Sequence, residues 1–223
     1  MSNEESLSAA LSHKAAVVGK CLVSFTPQIS PQDKQDIQDC LLYAELAASE
    51  KYDQGKLPKK WIDHYQGRLL KAGFGLRSVI SSEPRKISTP WELQRYSFAI
   101  TREAGSSRLA QLLRESYEAL QLNSFARAFF NEQISTDKAG VFQVAPCEQT
   151  SAGEVVLFLC GMHYTSTTTL RDFLFWTESD YDIVVQAIGG AFTFNRDLFA
   201  ENRLGVHRKI DGYQRRFILK LQP

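Results

Sequence analysis

Several residue types and features are scarce in this chain, and each shortage excludes a class of protein. The 223 residues include only four cysteines, four histidines and two methionines, and the formal net charge is +1. A charge balance this close to neutrality argues against a nucleic-acid surface that covers the whole protein. No apolar run is long enough to span a bilayer, and the polar, acidic start at residues 1–6 is unlike a signal peptide. We therefore expect a cytoplasmic protein, or one exported by a route without a signal peptide.

The four cysteines are widely spread, and each lies in an apolar run. They are Cys21, Cys40, Cys147 and Cys160. This placement favours four buried thiols, because free cysteine is among the most buried residue types and a chain without a signal implies a reducing compartment. A disulfide between Cys147 and Cys160, on neighbouring strands, is the alternative.

Motifs for metals, cofactors and phosphate groups are absent as well. The spacings of metalloproteases, P-loops and EF-hands do not occur. Gly73 and Gly75 follow a predicted helix, whereas a phosphate loop needs a strand before it and a helix after it. Cys160 and His163 are three residues apart, which on a strand places them on opposite faces, and no second Cys/His pair stands nearby. The sequence therefore predicts no cofactor and no metal.

The most informative feature present is a change of pattern near residue 140. Before it, apolar residues recur at helical spacing; after it, they form short β-branched and aromatic runs broken by Gly, Thr and Ser. This order predicts an α+β fold, with an N-terminal helical layer packed on a mostly antiparallel C-terminal β-sheet. We expect a single domain over residues 1–223, with a helical part at 1–138 and a sheet part at 140–223, because the strands need an apolar cover.

Capping residues and glycines predict the limits of these elements. Helix starts are expected at Ser30-Pro31, Pro58, Thr89-Pro90, Ser106 or Ser107, Asn123 and Asn195. Glu92 completes a capping box by reaching back to the Thr89 N–H. Strands are expected at residues 141–144, 153–164, 167–177, 182–194 and 213–221. The pair Gly189-Gly190 inside a strand indicates a bulge or a close approach of backbones.

Residues 41–73 resemble a pattern found in uncharacterised bacterial and fungal proteins. The resemblance implies a pair of helices in which a Trp and a Tyr pack back onto an Ala-rich helix. It also implies a microbial origin, and it brings no activity, cofactor or catalytic residue with it. The residues that carry it are Leu42, Ala44, Leu46, Ala47, Ala48, Lys51, Tyr52, Asp53, Trp61, Tyr65, Leu69 and Gly73.

The candidates for acid–base chemistry are two histidines and one carboxylate. Asp63 and His64 are adjacent on the second predicted helix, and His163 lies near the end of a predicted strand. A carboxylate beside a histidine supports general-base chemistry when the fold brings both to a nucleophile. Because adjacent helical residues point about 100° apart, Asp63 and His64 do not form a dyad by themselves. Solvent-facing polar residues are the alternative interpretation.

With no assembled titratable cluster, the sequence favours a non-enzymatic protein that acts through a surface. Self-assembly, partner binding and a toxin- or virulence-associated role all fit this description, and a protein partner or a second copy is the expected ligand. The alternatives are a hydrolase or transferase whose site is assembled from distant residues, and a membrane-active protein that releases a β-hairpin from the Thr-rich segment 163–170. A basic cluster near the C-terminus is diluted by acidic residues, so nucleic acid is not an expected partner. Its members are Arg203, His207, Arg208, Lys209, Arg215, Arg216 and Lys220.

Overall fold

A computed structural model describes residues 15–134, 138–167, 176 and 183–221 of the chain. The described helices are α1 Pro31–Lys51, α2 Pro58–Lys71, α3 Pro90–Ala104, α4 Ser107–Leu122, α5 Ser124–Ile134, α6 Arg196–Ile210 and the single turn α7 Gln214–Phe217. The described strands are β1 Ala15–Val18, β2 Cys21–Phe25, β3 Phe74–Ser81, β4 Arg85–Ile87, β5 Ala139–Gln149, β6 Val155–Ser166, β7 Ile183–Phe194 and β8 Ile218–Leu221. The strand expected at 167–177 lies almost entirely outside the described residues.

The described strands form one mostly antiparallel sheet. Its order is β3-β7-β6-β5-β2-β1-β8, and β4 pairs with β7 beside β3. Only the β2–β5 pair is parallel. The predicted α+β class is confirmed.

Helices cover both faces of this sheet. Along β6, Leu157 and Leu159 contact a core formed with α1, α2 and α6, whereas Phe158 and Cys160 contact a core formed with α3, α4 and α5. We call these helix sets the α1/α2/α6 layer and the α3/α4/α5 layer. The expected boundary at 138–140 does not separate helices from strands, because β1 to β4 precede it and α6 follows it. The reason is that β5, β6 and β7 are apolar on both faces, so each face needs a cover.

Side-chain caps start α1, α3, α4 and α6 where the sequence predicts, whereas α2 begins at Pro58 without one. The Ser30 hydroxyl accepts a hydrogen bond from the Asp33 N–H at 3.1 Å, and Thr89 does the same for Glu92 at 3.1 Å. Glu92 reaches back to Ser88, one residue before the expected Thr89. Its carboxylate accepts a hydrogen bond from the N–H of Ser88 at 2.8 Å. Each such cap satisfies a helix-terminal N–H that would otherwise have no partner.

The two chain ends pair with each other in the sheet. Residues 15–25, ambiguous in the sequence, form the β1–β2 hairpin, and β8 pairs with β1. The C-terminal strand expected at 213–221 begins only at Ile218. Before it, the N–H groups of Arg216 and Phe217 donate to the carbonyl of Tyr213 and close a helical turn, while the Phe217 carbonyl accepts from Gly19 at 2.7 Å.

All four cysteines of the chain are free and buried. Cys147 contributes to the core under the α1/α2/α6 layer and Cys160 to the core on the opposite face of the sheet. A disulfide requires the two Cβ atoms to face each other, so the alternative of a Cys147–Cys160 bridge is wrong.

None of the described helices combines the length and the apolar composition needed to cross a membrane.

The glycine pair of β7 marks a close approach of backbones. A Cβ at Gly189 would overlap the Leu159 carbonyl oxygen in β6, and one at Gly190 would overlap the Ser78 carbonyl oxygen in β3. Because these two positions carry no side chain, the backbones of β6, β7 and β3 can approach each other closely. Near the same place, β3 shifts register between Leu76 and Ser78.

We expect Gly189→Ala to lower the free energy of unfolding by about 2 kcal/mol or more, because backbone atoms must shift to admit the methyl group. Gly205→Ala is the matched control. Gly205 lies in helix α6 with open space around its Cα, so alanine there should raise stability by about 0.5–1 kcal/mol. Urea unfolding followed by circular dichroism measures both. Equal effects of the two substitutions would contradict the close-approach interpretation.

Candidate functional site: an arginine-lined cleft

The fold separates the two sequence-predicted histidines. His64 lies on α2, where its ring meets Tyr52 edge to face at 5.6 Å and its Nε2 accepts a hydrogen bond from Arg68 Nε at 3.1 Å. Asp63 points elsewhere and pairs with Lys59 at 2.9 Å on the surface. Asp63 and His64 therefore do not act as a dyad.

His163 and Asp63, by contrast, line one small cleft. This cleft, of about 200 Å³, lies between α2 and the β3 edge of the sheet, and Ser81 lines it too. Burial lowers the pKa of His163, and its buried Nε2 has no hydrogen-bond partner. No hydrogen bond joins Ser81, His163 and Asp63, so the three residues share a cleft without forming a relay.

The cysteines offer no activated nucleophile. Burial raises the pKa of Cys160 to about 12 and raises the pKa of Cys21, Cys40 and Cys147 well above the usual range. A thiol reacts as the thiolate, so these four are inert near neutral pH. Among the described residues, no group of three His, Cys, Asp or Glu side chains could hold a metal ion.

Part of the C-terminal basic cluster is neutralised by helix α1. Asp33, Asp36 and Asp39 of α1 face Arg196, Arg203 and His207 of α6, at closest distances of 2.7, 2.6 and 3.2 Å. Burial by itself would raise the pKa of Asp33, but hydrogen bonds from Arg196 and Ser30 outweigh it and the pKa is lowered. These three side chains hold α6 on α1, so they are not available to a partner at the surface.

An unpredicted site lies on the opposite side of the sheet. There, a cleft of about 450 Å³ opens between α3 and α4 beside strand β4. Four arginines line it: Arg85 from β4, Arg95 and Arg102 from α3, and Arg114 from α4. We call it the arginine cleft. Its one acidic side chain, Glu92, already accepts a hydrogen bond from the backbone at the start of α3.

Aromatic rings support three of the four guanidinium groups. Arg95 lies over Trp91 with its Cζ 4.3 Å from the ring centroid, and Arg114 lies over Phe98 at 5.4 Å. Arg85 lies over Tyr96 at 5.7 Å, and the Tyr96 hydroxyl is hydrogen-bonded to Ser82 at the sheet edge. Stacking on a ring restricts an arginine while leaving its N–H donors free.

None of these four arginines has an ion-pair partner among the described carboxylates. Four like charges that converge on one opening repel each other, and an anion in the opening relieves that repulsion. The planar guanidinium fork also matches the oxygens of phosphate and carboxylate groups. The arginine cleft is therefore suited to hold an anion.

Large apolar side chains are exposed at one end of the same helical hairpin. Phe98 and Tyr117 meet at 5.5 Å, and the Ser97 hydroxyl donates to Tyr117, so α3 and α4 run antiparallel. The first turn of α3, the last turn of α4 and the start of α5 consequently lie at the same end. They carry Trp91, Leu122 and Phe125, which are 59%, 87% and 69% exposed. We call these three residues the apolar tip.

The sequence contains no obvious sign of the arginine cleft. Its arginines are spread over residues 85–114 and form no run, and only the seven-residue spacing of Arg95 and Arg102 places two of them on one helix face. The antiparallel packing of α3 on α4 brings Arg114 to them, and that packing is a tertiary event.

We expect His163→Leu to change stability by less than about 1 kcal/mol near neutral pH, because it removes a buried nitrogen that has no partner. The folded-state pKa of His163 is below its unfolded value. Its contribution to stability is therefore present above about pH 6.5 and is lost as the pH falls through that value.

As the pH falls from about 7 to about 5, the wild type should therefore lose stability relative to the leucine variant. Urea titrations across that range measure it. Parallel profiles would show that His163 is not buried as described, and a catalytic role would again be open.

Comparisons with known proteins return structural likenesses at low identity. No protein-family model matches the chain, and no curated protein matches it significantly. A solved structure described as a delta-endotoxin is similar over 79% of this chain and 85% of its own, with 11% identity and a TM-score of 0.47. The activated Cyt2Ba monomer of Bacillus thuringiensis subsp. israelensis is similar over 77% and 94%, with 12% identity and a TM-score of 0.45. The Evf virulence factor is similar over 91% and 83%, with 12% identity and a TM-score of 0.36.

Proposed function

We propose that this protein binds the surface of a membrane that contains anionic lipids, without catalysing a reaction. The α3/α4/α5 layer faces the lipids: the arginine cleft takes a phosphate or carboxylate of a headgroup, and the apolar tip enters the interface. The observation that carries the proposal is a cleft with four unpaired arginines, three of them on the α3–α4 hairpin, beside an end of that hairpin that exposes Trp91, Leu122 and Phe125.

Each part of this surface matches a known requirement of interfacial binding. Tryptophan and phenylalanine favour the boundary between headgroups and acyl chains, and arginine is attracted to the negative surface potential. The apolar tip also takes no part in the core that Leu93, Leu113 and Leu120 form on the inner face of the hairpin. Exposed aromatic residues beside unpaired cations are therefore not explained by folding.

This proposal is one case of the surface-acting protein that the sequence predicts. A toxin- or virulence-associated role is one setting in which such a surface would act. That role stays a prediction, as does binding to a protein partner or a second copy. An enzyme, a hydrolase or transferase with His64 or His163 beside a carboxylate, also stays a prediction. So does the membrane-active β-hairpin: the Thr-rich segment 163–170 is described as far as residue 167, and residues 163–166 form the end of β6.

We expect the double variant R102Q/R114Q to bind anionic vesicles about 30-fold more weakly than the wild type, since each basic residue near such a surface contributes about 1 kcal/mol. Sedimentation with phosphatidylcholine vesicles, with and without phosphatidylserine, measures the partition coefficient. The control K60Q/R208Q removes the same charge from exposed positions of the α1/α2/α6 layer. Equal loss in both variants would attribute binding to net charge and sink the proposed site.

We expect W91A/F125A to reduce partitioning roughly tenfold on vesicles with and without phosphatidylserine, because insertion of the apolar tip does not depend on lipid charge. Leu204→Ala is the control, since Leu204 is 71% exposed on α6. Tryptophan fluorescence reports Trp91 directly in a variant that lacks the other two tryptophans. A Trp91 emission that does not shift to the blue on vesicle binding would show that the tip stays in water.

A further inference from the structure

A second cleft, chemically different from the first, lies in the α1/α2/α6 layer. It has a volume of about 840 Å³ and is bounded by the last three turns of α1, the middle of α2 and the turn after α6. This volume falls in the range of small-molecule sites, roughly 300–1,000 Å³. We call it the tyrosine cleft, and its key side chains are Tyr43, Tyr213, Lys51, Arg68, Lys209 and His64. Nothing in the proposed function uses it.

Positive charge is in excess in the tyrosine cleft. Lys51, Arg68 and Lys209 line it against a single carboxylate, Glu50, and none of these four groups forms an ion pair with a described residue. Arg68 donates its Nε–H to His64 and keeps its other N–H groups free. A neutral ligand would leave these cations unpaired, so the cleft favours an anion.

Flat and apolar side chains make up the rest of the wall. Tyr43 and Leu46 of α1 are half-buried, and Tyr213, 46% exposed, stands opposite with its ring 6.0 Å from that of Phe217. Tyrosines of this kind pack against the face of a ring while their hydroxyl groups stay wet. A small inorganic anion would leave this surface uncovered.

His64 positions Arg68 at the centre of the cleft. Because its Nε2 accepts the hydrogen bond from Arg68, the neutral ring carries its proton on Nδ1, which has no protein partner and is free to donate. Burial lowers the pKa of His64, and the positive charges of Arg68, Lys51 and Lys71 lower it further. Glu50 and Lys209 are the other charged groups that face the cleft from α1 and α6.

We propose that the tyrosine cleft is a binding site for a small organic anion that carries a flat ring. Arg68 and Lys209 hold the anionic group, and Tyr43 and Tyr213 pack against the ring. The proposal is independent of membrane binding, because the two clefts lie on opposite faces of the sheet.

Naphthalene-2-sulfonate is the probe that tests this inference, with 2-naphthol and inorganic sulfate as its neutral and ringless counterparts. Isothermal titration calorimetry should give an affinity at least roughly tenfold higher for the probe than for either counterpart. K209Q and R68Q should each weaken binding severalfold, whereas K60Q, the same change of charge at an exposed position of α2 outside the cleft, should not. Unchanged circular dichroism confirms that each variant is folded.

Binding should also raise the pKa of His64, because the bound anion offsets the surrounding positive charge. Proton uptake on binding means that the affinity increases as the pH falls through the bound-state pKa of His64 and is constant well above it. Histidine-selective NMR titrations with and without the probe measure this. Equal affinity for 2-naphthol, or a bound-state pKa of His64 no higher than the free one, would overturn the inference, and so would binding unaffected by both K209Q and R68Q.

Discussion

The central strands of the sheet carry large apolar side chains on both of their faces, and the rest of the molecule is arranged around them. In β6, Leu157 and Leu159 are buried on one side, and Phe158 and Met162 are buried on the other. Each such side chain contributes about 1.5–3 kcal/mol when it leaves water. A cover on one face alone would leave the opposite row exposed, so the chain has to place helices on both faces. The order of helices along the chain follows from this: α1 and α2 cover one face, α3 to α5 the other, and α6 returns to the first.

The two helical layers are held by different interactions. On one face, α6 is attached to α1 by carboxylates that are almost fully buried and paired with Arg196, Arg203 and His207. A buried carboxylate that lost its partner would be costly, so these pairs specify where α6 docks. On the other face, α3 and α4 pack on the sheet through leucine and aromatic side chains, and their arginines are left without carboxylates. Arg196 and Arg203, which hold α6 on α1, are therefore structural, whereas the four arginines of the arginine cleft are available to a ligand.

Both candidate sites form where helices meet on their outer sides, away from the sheet. The inner faces of the helices are committed to the core, so variation on the outer faces has little effect on folding and can serve binding. The arginine cleft combines unpaired guanidinium groups with an exposed aromatic end. The tyrosine cleft is larger and combines fewer cations with the rings of Tyr43 and Tyr213. A protein with both has two chemically distinct surfaces on one rigid sheet, and neither contains an assembled catalytic relay.

Local features of the structure were determined by the sequence alone. Ser30, Thr89 and Asn195 cap helices because their side chains reach N–H groups only three residues away, and β6 was identifiable because an uninterrupted apolar run implies burial on both faces. The opposite directions of Cys160 and His163 followed from the two-residue period of a strand.

Tertiary structure decided what depends on residues far apart in the chain. No local pattern indicates which helices cover which face of the sheet, that the first strands pair with the last, or that Arg114 joins Arg95 and Arg102. The same is true of the cleft shared by Asp63 and His163, which are a hundred positions apart. Capping and alternation are set by neighbouring residues, whereas a binding cleft forms only when separate elements pack, and the free energy of that packing belongs to the whole chain.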